Sequence, residues 1–291
     1  MTNSILLVGA SGRVGRMVAR AWQIDRRSLG QVVMQTRRLD ASNDVSSLLW
    51  DPMIGAAPLL QWVARHGAPQ AMVVLAGVTP GDGQDLALNS DIAVSCVTAA
   101  MTAHIPRVLI ASSSAVYGVG DGTAFTESAI CQPANAYGEA KVAMENACHA
   151  LTGSGIEICC LRIGNVAGAD ALLLNVAQRV SDDAVTIDTF ANGRGPVRSY
   201  IGPKSLARVL ATLALQDTVL PPILNIAAPE PISMDMLAEA AEHTWTARPA
   251  PKYAQQRITL DSTLLGKFYR LTPEESYPSQ MVLQWKETMT K

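Results

Sequence analysis

A phenol, an ammonium and a run of hydroxyls give this 291-residue chain the makings of proton chemistry: Tyr137, Lys141 and Ser112-Ser113-Ser114. A helix is expected to start near Ala136, and on it Tyr137 and Lys141, four positions apart, share one face a turn from each other. A free tyrosine titrates at about pH 10 and is a poor base at neutral pH, whereas an adjacent cation favours the phenolate. The spacing alone suits a solvated surface pair equally well. The serines give it chemical meaning. Pro106 to Ala111 reads as a buried strand that delivers Ser112-Ser113-Ser114-Ala115-Val116-Tyr117-Gly118 at its end. A hydroxyl fixed by a strand terminus can bond a substrate oxygen while the phenol exchanges its proton.

Such groups need a frame, and the N-terminus supplies its first element. Ser4-Ile5-Leu6-Leu7-Val8 is a short uncharged run of the kind buried in a parallel sheet, and it enters Gly9-Ala10-Ser11-Gly12-Arg13-Val14-Gly15. Val14, Val18 and Trp22 then recur at helical spacing through Arg13 to Gln23. Strand, glycine turn and helix together suit an anion: the backbone can approach a pyrophosphate, and free amides at the helix start meet its charge. The spacing G-x-x-G-x-x-G differs from the G-x-G-x-x-G fingerprint.

The second strand, Gln31 to Thr36, ends in Arg37-Arg38. An acid at this strand end would bond a ribose 2′-hydroxyl; here Thr36 takes that place beside Arg37, whose guanidinium suits a 2′-phosphate or simple solvation. NADP is therefore expected ahead of NAD. Asp51, after Ser47 to Trp50, either meets an adenine amino group or caps its own turn. Ala56 to His66 reads as a helix, and Ala71 to Gly77 as a buried strand whose small last residues, Ala76 and Gly77, leave room for a cofactor. Asn89 opens a long apolar helix, Asp85 to Ala103, either as a helix-start residue or as a bond to nearby main chain.

The bulk numbers exclude several classes. With 48% hydrophobic and 16% charged residues the chain can bury a large core, and its net charge of -2 with only short basic pairs, Arg26-Arg27 and Arg37-Arg38, gives no footprint for nucleic acid or an anionic membrane. No apolar stretch reaches the roughly 20 residues of a membrane span, and the expected location is the cytoplasm. Five cysteines without C-x-x-C spacing and four histidines without ligand spacing suggest neither disulfides nor a metal site.

Taken in order, the motifs G-x-x-G-x-x-G, S-S-S-A-V-Y-G and Y-G-E-A-K resemble the signatures of the extended short-chain dehydrogenase/reductase superfamily, the NAD(P)-dependent epimerase/dehydratase family. The resemblance continues in Leu161-Arg162-Ile163-Gly164-Asn165-Val166-Ala167-Gly168, in Arg198 to Arg208 and in Asn225 to Ser233, covering nearly the whole chain. It implies Tyr137 as acid/base, Lys141 holding the nicotinamide ribose and lowering the phenol's pKa, and Ser113 as the catalytic hydroxyl with Ser114 its runner-up. It places Gly9, Ser11, Gly12, Arg13, Val14 and Gly15 along the pyrophosphate, Ala76 and Gly77 on the adenine and ribose side, and Arg13 with Arg37 at a 2′-phosphate. Arg198 and Asn165 become substrate contacts.

Departures narrow the substrate. Ser114-Ala115 stands where the family's dehydratases carry acids, Gly202-Pro203-Lys204-Ser205 replaces H-V-D-D, and Ala167 replaces a tyrosine. The expectation is a Rossmann-type doubly wound parallel sheet (1–164 and 201–219) with a small substrate-binding lobe (165–200 and 220–291). In the lobe, Lys204 to Leu215 and Ser233 to Trp245 read as helices and Arg248-Pro249-Ala250-Pro251 as a linker. The expected activity is hydride transfer to or from a small oxygenated or sugar-like substrate, with a sugar epimerase as the alternative and a non-catalytic NADP sensor as the second. The helices from Asp85 and Ala136 are expected to form a homodimer.

Overall fold

The computed structural model describes residues 4–25, 30–38, 47–153, 155–178 and 184–289; the Arg26-Arg27 pair lies outside them. Strands and helices alternate through the first half: β1 (Ser4–Val8), α1 (Arg13–Ile24), β2 (Gln31–Thr36), β3 (Ser47–Leu49), α2 (Ala57–His66), β4 (Ala71–Val74), α3 (Leu88–Thr102), β5 (Arg107–Ser113), α4 (Ala136–His149) and β6 (Glu157–Ile163). The second half is more broken: β7 (Asn165–Val166), α5 (Ala171–Gln178), β8 (Val185–Thr189), β9 (Val197–Arg198), β10 (Tyr200–Ile201), α6 (Pro203–Leu215), β11 (Ile223–Ile226), β12 (Ile232–Ser233), α7 (Met234–Ala240), β13 (Trp245–Pro249), β14 (Arg257–Ile258) and α8 (Pro278–Met289).

Seven parallel strands form the central sheet in the order β11-β6-β5-β4-β1-β2-β3. Both faces are covered, which is why β1 carries no polar side chain after Ser4. Successive strand residues point to opposite faces: Ile5 and Leu7 join Val18, Trp22 and Val209 from α1 and α6, while Leu6 and Val8 join Leu59, Trp62 and Val97 from α2 and α3. Truncating one of these buried leucines to alanine would cost about 2–5 kcal/mol. β1 and β4 are neighbours, and strand order reverses there, so a crevice opens at their carboxyl ends.

The lobe differs from its sequence expectation in three places. β11, expected in the lobe, is the edge strand of the main sheet, with Leu224 opposite Leu161. The helix read as Ser233 to Trp245 stops at Ala240, because Glu242 takes a left-handed conformation (φ 60°) and turns the chain. Trp245 then begins β13, which runs parallel to β8 through Pro249, so the first half of the expected linker, Arg248-Pro249, is strand. This two-stranded ribbon tolerates Pro249 because an edge does not require its missing amide hydrogen.

Candidate active site

The glycine turn is shaped by contact rather than by flexibility. Gly9 has φ 88°, and a Cβ there would run into the amide of Ala76; a Cβ on Gly15 would overlap the Gly9 carbonyl. Gly12 N donates to Gly9 O at 3.0 Å and closes the turn. Helix α1 then starts with no side-chain cap and no acid in its first turn. Among the described residues, no side chain therefore caps its leading amides or the positive end of its dipole, the arrangement that favours an anion. Gln35 supports the turn from beneath: its Oε1 accepts from Gly9 N at 3.1 Å and its Nε2 donates to Trp50 O at 2.5 Å.

Beyond the turn, the residues at the ends of β2 and β4 have separate tasks. Thr36 Oγ1 donates to Arg38 O, and Arg37 is exposed with no hydrogen bond or ion pair among the described residues. Arg13 Nη1 donates to Ala169 O at 3.4 Å, toward the lobe. Asp51 accepts from Met53 N at 3.0 Å and caps the turn Pro52–Ile54, the capping alternative. Asn89 is buried and bonds main chain, with Oδ1 accepting from Val78 N and Nδ2 donating to the carbonyls of Val78 and Leu86. It thereby holds the loop that carries Ala76 and Gly77.

The catalytic candidates converge at the ends of β5 and β4. Asn135 caps α4 by accepting from Gly138 N at 2.9 Å. Gly138 allows α4 to touch the turn after β5, since a Cβ there would collide with the Ala115 carbonyl. That close approach sets Tyr137, in the first turn of α4, beside the turn that follows Ser113. Burial pushes the Tyr137 phenol above its ordinary value, and the Ser113 hydroxyl pulls it back down. Ser113 Oγ itself accepts from Ala115 N at 3.2 Å, and Ser114 begins the turn Ser114–Tyr117. Lys141 is buried; its Nζ lies 5.8 Å from the Tyr137 ring centre and donates to Ala111 O at 3.0 Å. Desolvation pushes this lysine down to about 8. Tyr137 and Lys141 are thus both shifted mainly by burial, in the direction that disfavours the charged form of each. The Cβ position of Gly77 would lie 2.8 Å from Asn89 Oδ1 and 3.4 Å from Lys141 Nζ, so the end of β4 and the candidate lysine are adjacent.

On the lobe side, Asn165 in β7 donates its amide N–H to Ser199 O at 2.9 Å. Arg198 is largely buried, and its Nη1 donates to the carbonyls of Val197 and Gln256, both at 2.8 Å. Burial lowers the pKa of this guanidinium, which has no carboxylate partner among the described residues. Among the described residues no cluster of His, Cys, Asp or Glu could hold a metal, and no helix is long and apolar enough to cross a membrane.

A family model for the NAD dependent epimerase/dehydratase family matches residues 5–227. This chain belongs to that family. Solved structures share the fold over nearly their whole length. UDP-glucose 4-epimerase from Brucella ovis, in complex with NAD, is 18% identical with a TM-score of 0.77, covering 96% of each chain. UDP-N-acetylglucosamine 4-epimerase from Bacillus cereus is 16% identical with a TM-score of 0.77, covering 98% of this chain and 100% of that one. An NAD-dependent NDP-hexosamine 5,6-dehydratase involved in tunicamycin biosynthesis is 17% identical with a TM-score of 0.73, covering 98% of each chain. No curated protein matches the chain by sequence.

Within this epimerase/dehydratase member, a dinucleotide fits the residues present. The glycine cradle admits no Cβ at Gly9 or Gly15, the start of α1 is uncapped, and Gly77 opens beside Lys141. Sequence reasoning did not find Gln35, Gly138 or Glu145. Gly138 follows the candidate tyrosine directly, and Glu145 extends the face of Tyr137 and Lys141 by one more turn. That periodicity was the signal available for Glu145; Gln35 left none, because its partners are 26 and 15 positions away.

Proposed function

We propose that this family member moves a hydride between a nicotinamide and a carbon bearing a hydroxyl or keto group on an oxygenated substrate. The packing of α4 on the turn after Ser113, with Tyr137 in its first turn and Lys141 one turn on and against the Gly77 wall, carries the reading. Gly9, Ser11, Gly12, Arg13, Val14 and Gly15 would hold the diphosphate, with Ala76 and Gly77 along the adenine and ribose side and Asn89 keeping that wall in place. When bound, the nicotinamide supplies or accepts the hydride. Ser113 orients the substrate oxygen and Tyr137 gives or takes its proton. Lys141, which donates to Ala111 O and more weakly to Met144 Sδ, keeps its third N–H for the cofactor ribose.

NADP is the cofactor the end of β2 suits better: residues 35–38 include no carboxylate to repel a 2′-phosphate, and Arg37 is exposed and unpaired among the described residues. The solved structure from Brucella ovis carries NAD, which makes the measurement worthwhile. Titrating NADPH and NADH by nicotinamide fluorescence should show tighter NADPH binding in the parent, reversed in Arg37→Asp. An unchanged ratio would remove the 2′-phosphate from this strand end.

Arg198 favours a second reading, a nucleotide-sugar epimerase. A largely buried guanidinium with only carbonyl partners suits a substrate phosphate, with Asn165 nearby on β7. Mixing the purified protein with UDP-glucose and with a panel of simple carbonyls separates the two. Tightly held dinucleotide and sugar inversion support the epimerase. Net NADPH oxidation abolished by Tyr137→Phe supports the reductase. We also propose a homodimer through α3 and α4, on whose side Met53 and Ile54 are exposed; light scattering checks it.

A further inference from the structure

We infer that the buried pair Glu145 and Arg162, acting through Ser112, positions the catalytic groups by fixing α4 against the end of β5. The inference rests on reading Ser113 and Tyr137 as the working pair. Glu145 follows Lys141 by one helical turn, on the same face as Tyr137. Its Oε1 accepts from Ser112 Oγ at 2.5 Å and from Arg162 Nε at 3.1 Å, and its Oε2 accepts from Arg162 Nη2 at 2.7 Å. Their side chains are only 6% and 5% exposed.

Arg162 reaches the other segments that frame the site. Its Nη1 donates to Glu127 O at 3.3 Å, and Nη2 lies 3.2 Å from Cys131 Sγ, both in the loop leading to α4. Its guanidinium carbon stands 4.7 Å from the ring centre of Tyr117, in the turn that follows Ser113. Tyr117 in turn donates to Asn225 Oδ1 of β11 at 2.7 Å. One guanidinium thus braces α4, the turn after β5 and the intervening loop.

Stability does not require such a pair. Desolvating two charges offsets much of their attraction, and well-packed apolar residues often do as well. What ions with directed hydrogen bonds add is a fixed angle and register. Neither Glu145 nor Arg162 hydrogen-bonds Ser113 or Tyr137 among the described residues, so both are positioning residues.

The test follows the Tyr137 phenol by NMR in protein carrying tyrosine labelled at Cζ, with the signal assigned through Tyr137→Phe. Ser113→Ala removes the hydroxyl that pulls this phenol down and should raise its titration midpoint. Glu145→Gln and the milder Ser112→Ala should raise it in the same direction by a comparable amount. Loss of a nearby negative charge alone would push it the other way, so the sign separates positioning from electrostatics. In a Glu145→Gln, Arg162→Met double variant, thermal stability should recover while the midpoint stays raised. If Ser113→Ala shifts the phenol but folded Ser112→Ala and Glu145→Gln titrate like the parent, the positioning role is wrong. If Ser113→Ala shifts nothing, the Ser113–Tyr137 reading falls, and this inference with it.

Discussion

The glycine turn and the catalytic face both sit at the carboxyl ends of parallel strands, yet they are built in opposite ways. Gly9 to Gly15 form the candidate anion site from seven consecutive residues, and the shape comes from backbone touching backbone. The catalytic face takes Ser113 from β5, Tyr137 and Lys141 from α4 and Gly77 from the loop after β4, held by side chains such as Asn89, Asn135 and Glu145. A local motif fixes its own geometry. A face assembled from distant segments depends on whatever spaces those segments.

This contrast can be broken in both directions. The largest effect is expected from Gly15→Ala, whose Cβ meets an unyielding carbonyl: overpacking of this kind costs about 1–3 kcal/mol, and NADH binding should weaken by roughly 10²-fold. Fluorescence titration and thermal unfolding measure both. Gly138→Ala is the counterpart for the catalytic face. Forcing α4 away from Ala115 should slow turnover by about 10²-fold while leaving NADH affinity within about threefold. Loss of binding in that variant would show that the two regions are not separable.

Lys141→Met sharpens the comparison through pH. The lysine falls from 10.5 to about 8 in the folded chain because burial penalises its charge. Below pH 8 both folded and unfolded states hold the proton, and the folded chain bears the desolvation cost. Between about 8 and 10.5 the unfolded state alone retains it, so this group makes stability rise with pH, by about 3 kcal/mol in all. Denaturant unfolding at pH 7 and pH 10 should show that rise in the parent but not in Lys141→Met, which should gain stability at pH 7 while losing turnover. The smallest effect is expected at Asp51→Ala: loss of its cap costs about 1 kcal/mol, and NADH affinity is unchanged. A tenfold loss of affinity would return Asp51 to the adenine.

Much of the fold was readable because its signals are local. Uncharged runs such as Ile5 to Val8 and Ala71 to Val74 mark buried strands, and the apolar spacing of Val14, Val18 and Trp22 marks α1. The lobe was less so. β13 is largely exposed and pairs with β8 some 60 positions away, so no periodicity announced it. α7 ends at a left-handed glutamate where no glycine signals the stop. Within the site, the types and spacing of Ser113, Tyr137 and Lys141 were legible, but the direction of Arg13 toward Ala169 was not. A long side chain at a helix start can swing to either side.

By itself the sequence determined the alternation of strands and helices, the glycine turn, and which phenol, ammonium and hydroxyl were available, since each follows from residues within a few positions of one another. Only the tertiary structure decided that β11 completes the main sheet, that Gln35 holds Gly9, and that Arg162 joins Glu145 on α4 to Tyr117 beside β5. It also set the direction in which burial moves each titrating group: Tyr137 is raised and Lys141, which donates to Ala111 O, is lowered. Desolvation and directed hydrogen bonds depend on everything packed around a group, and that surrounding comes from chain segments no local pattern connects.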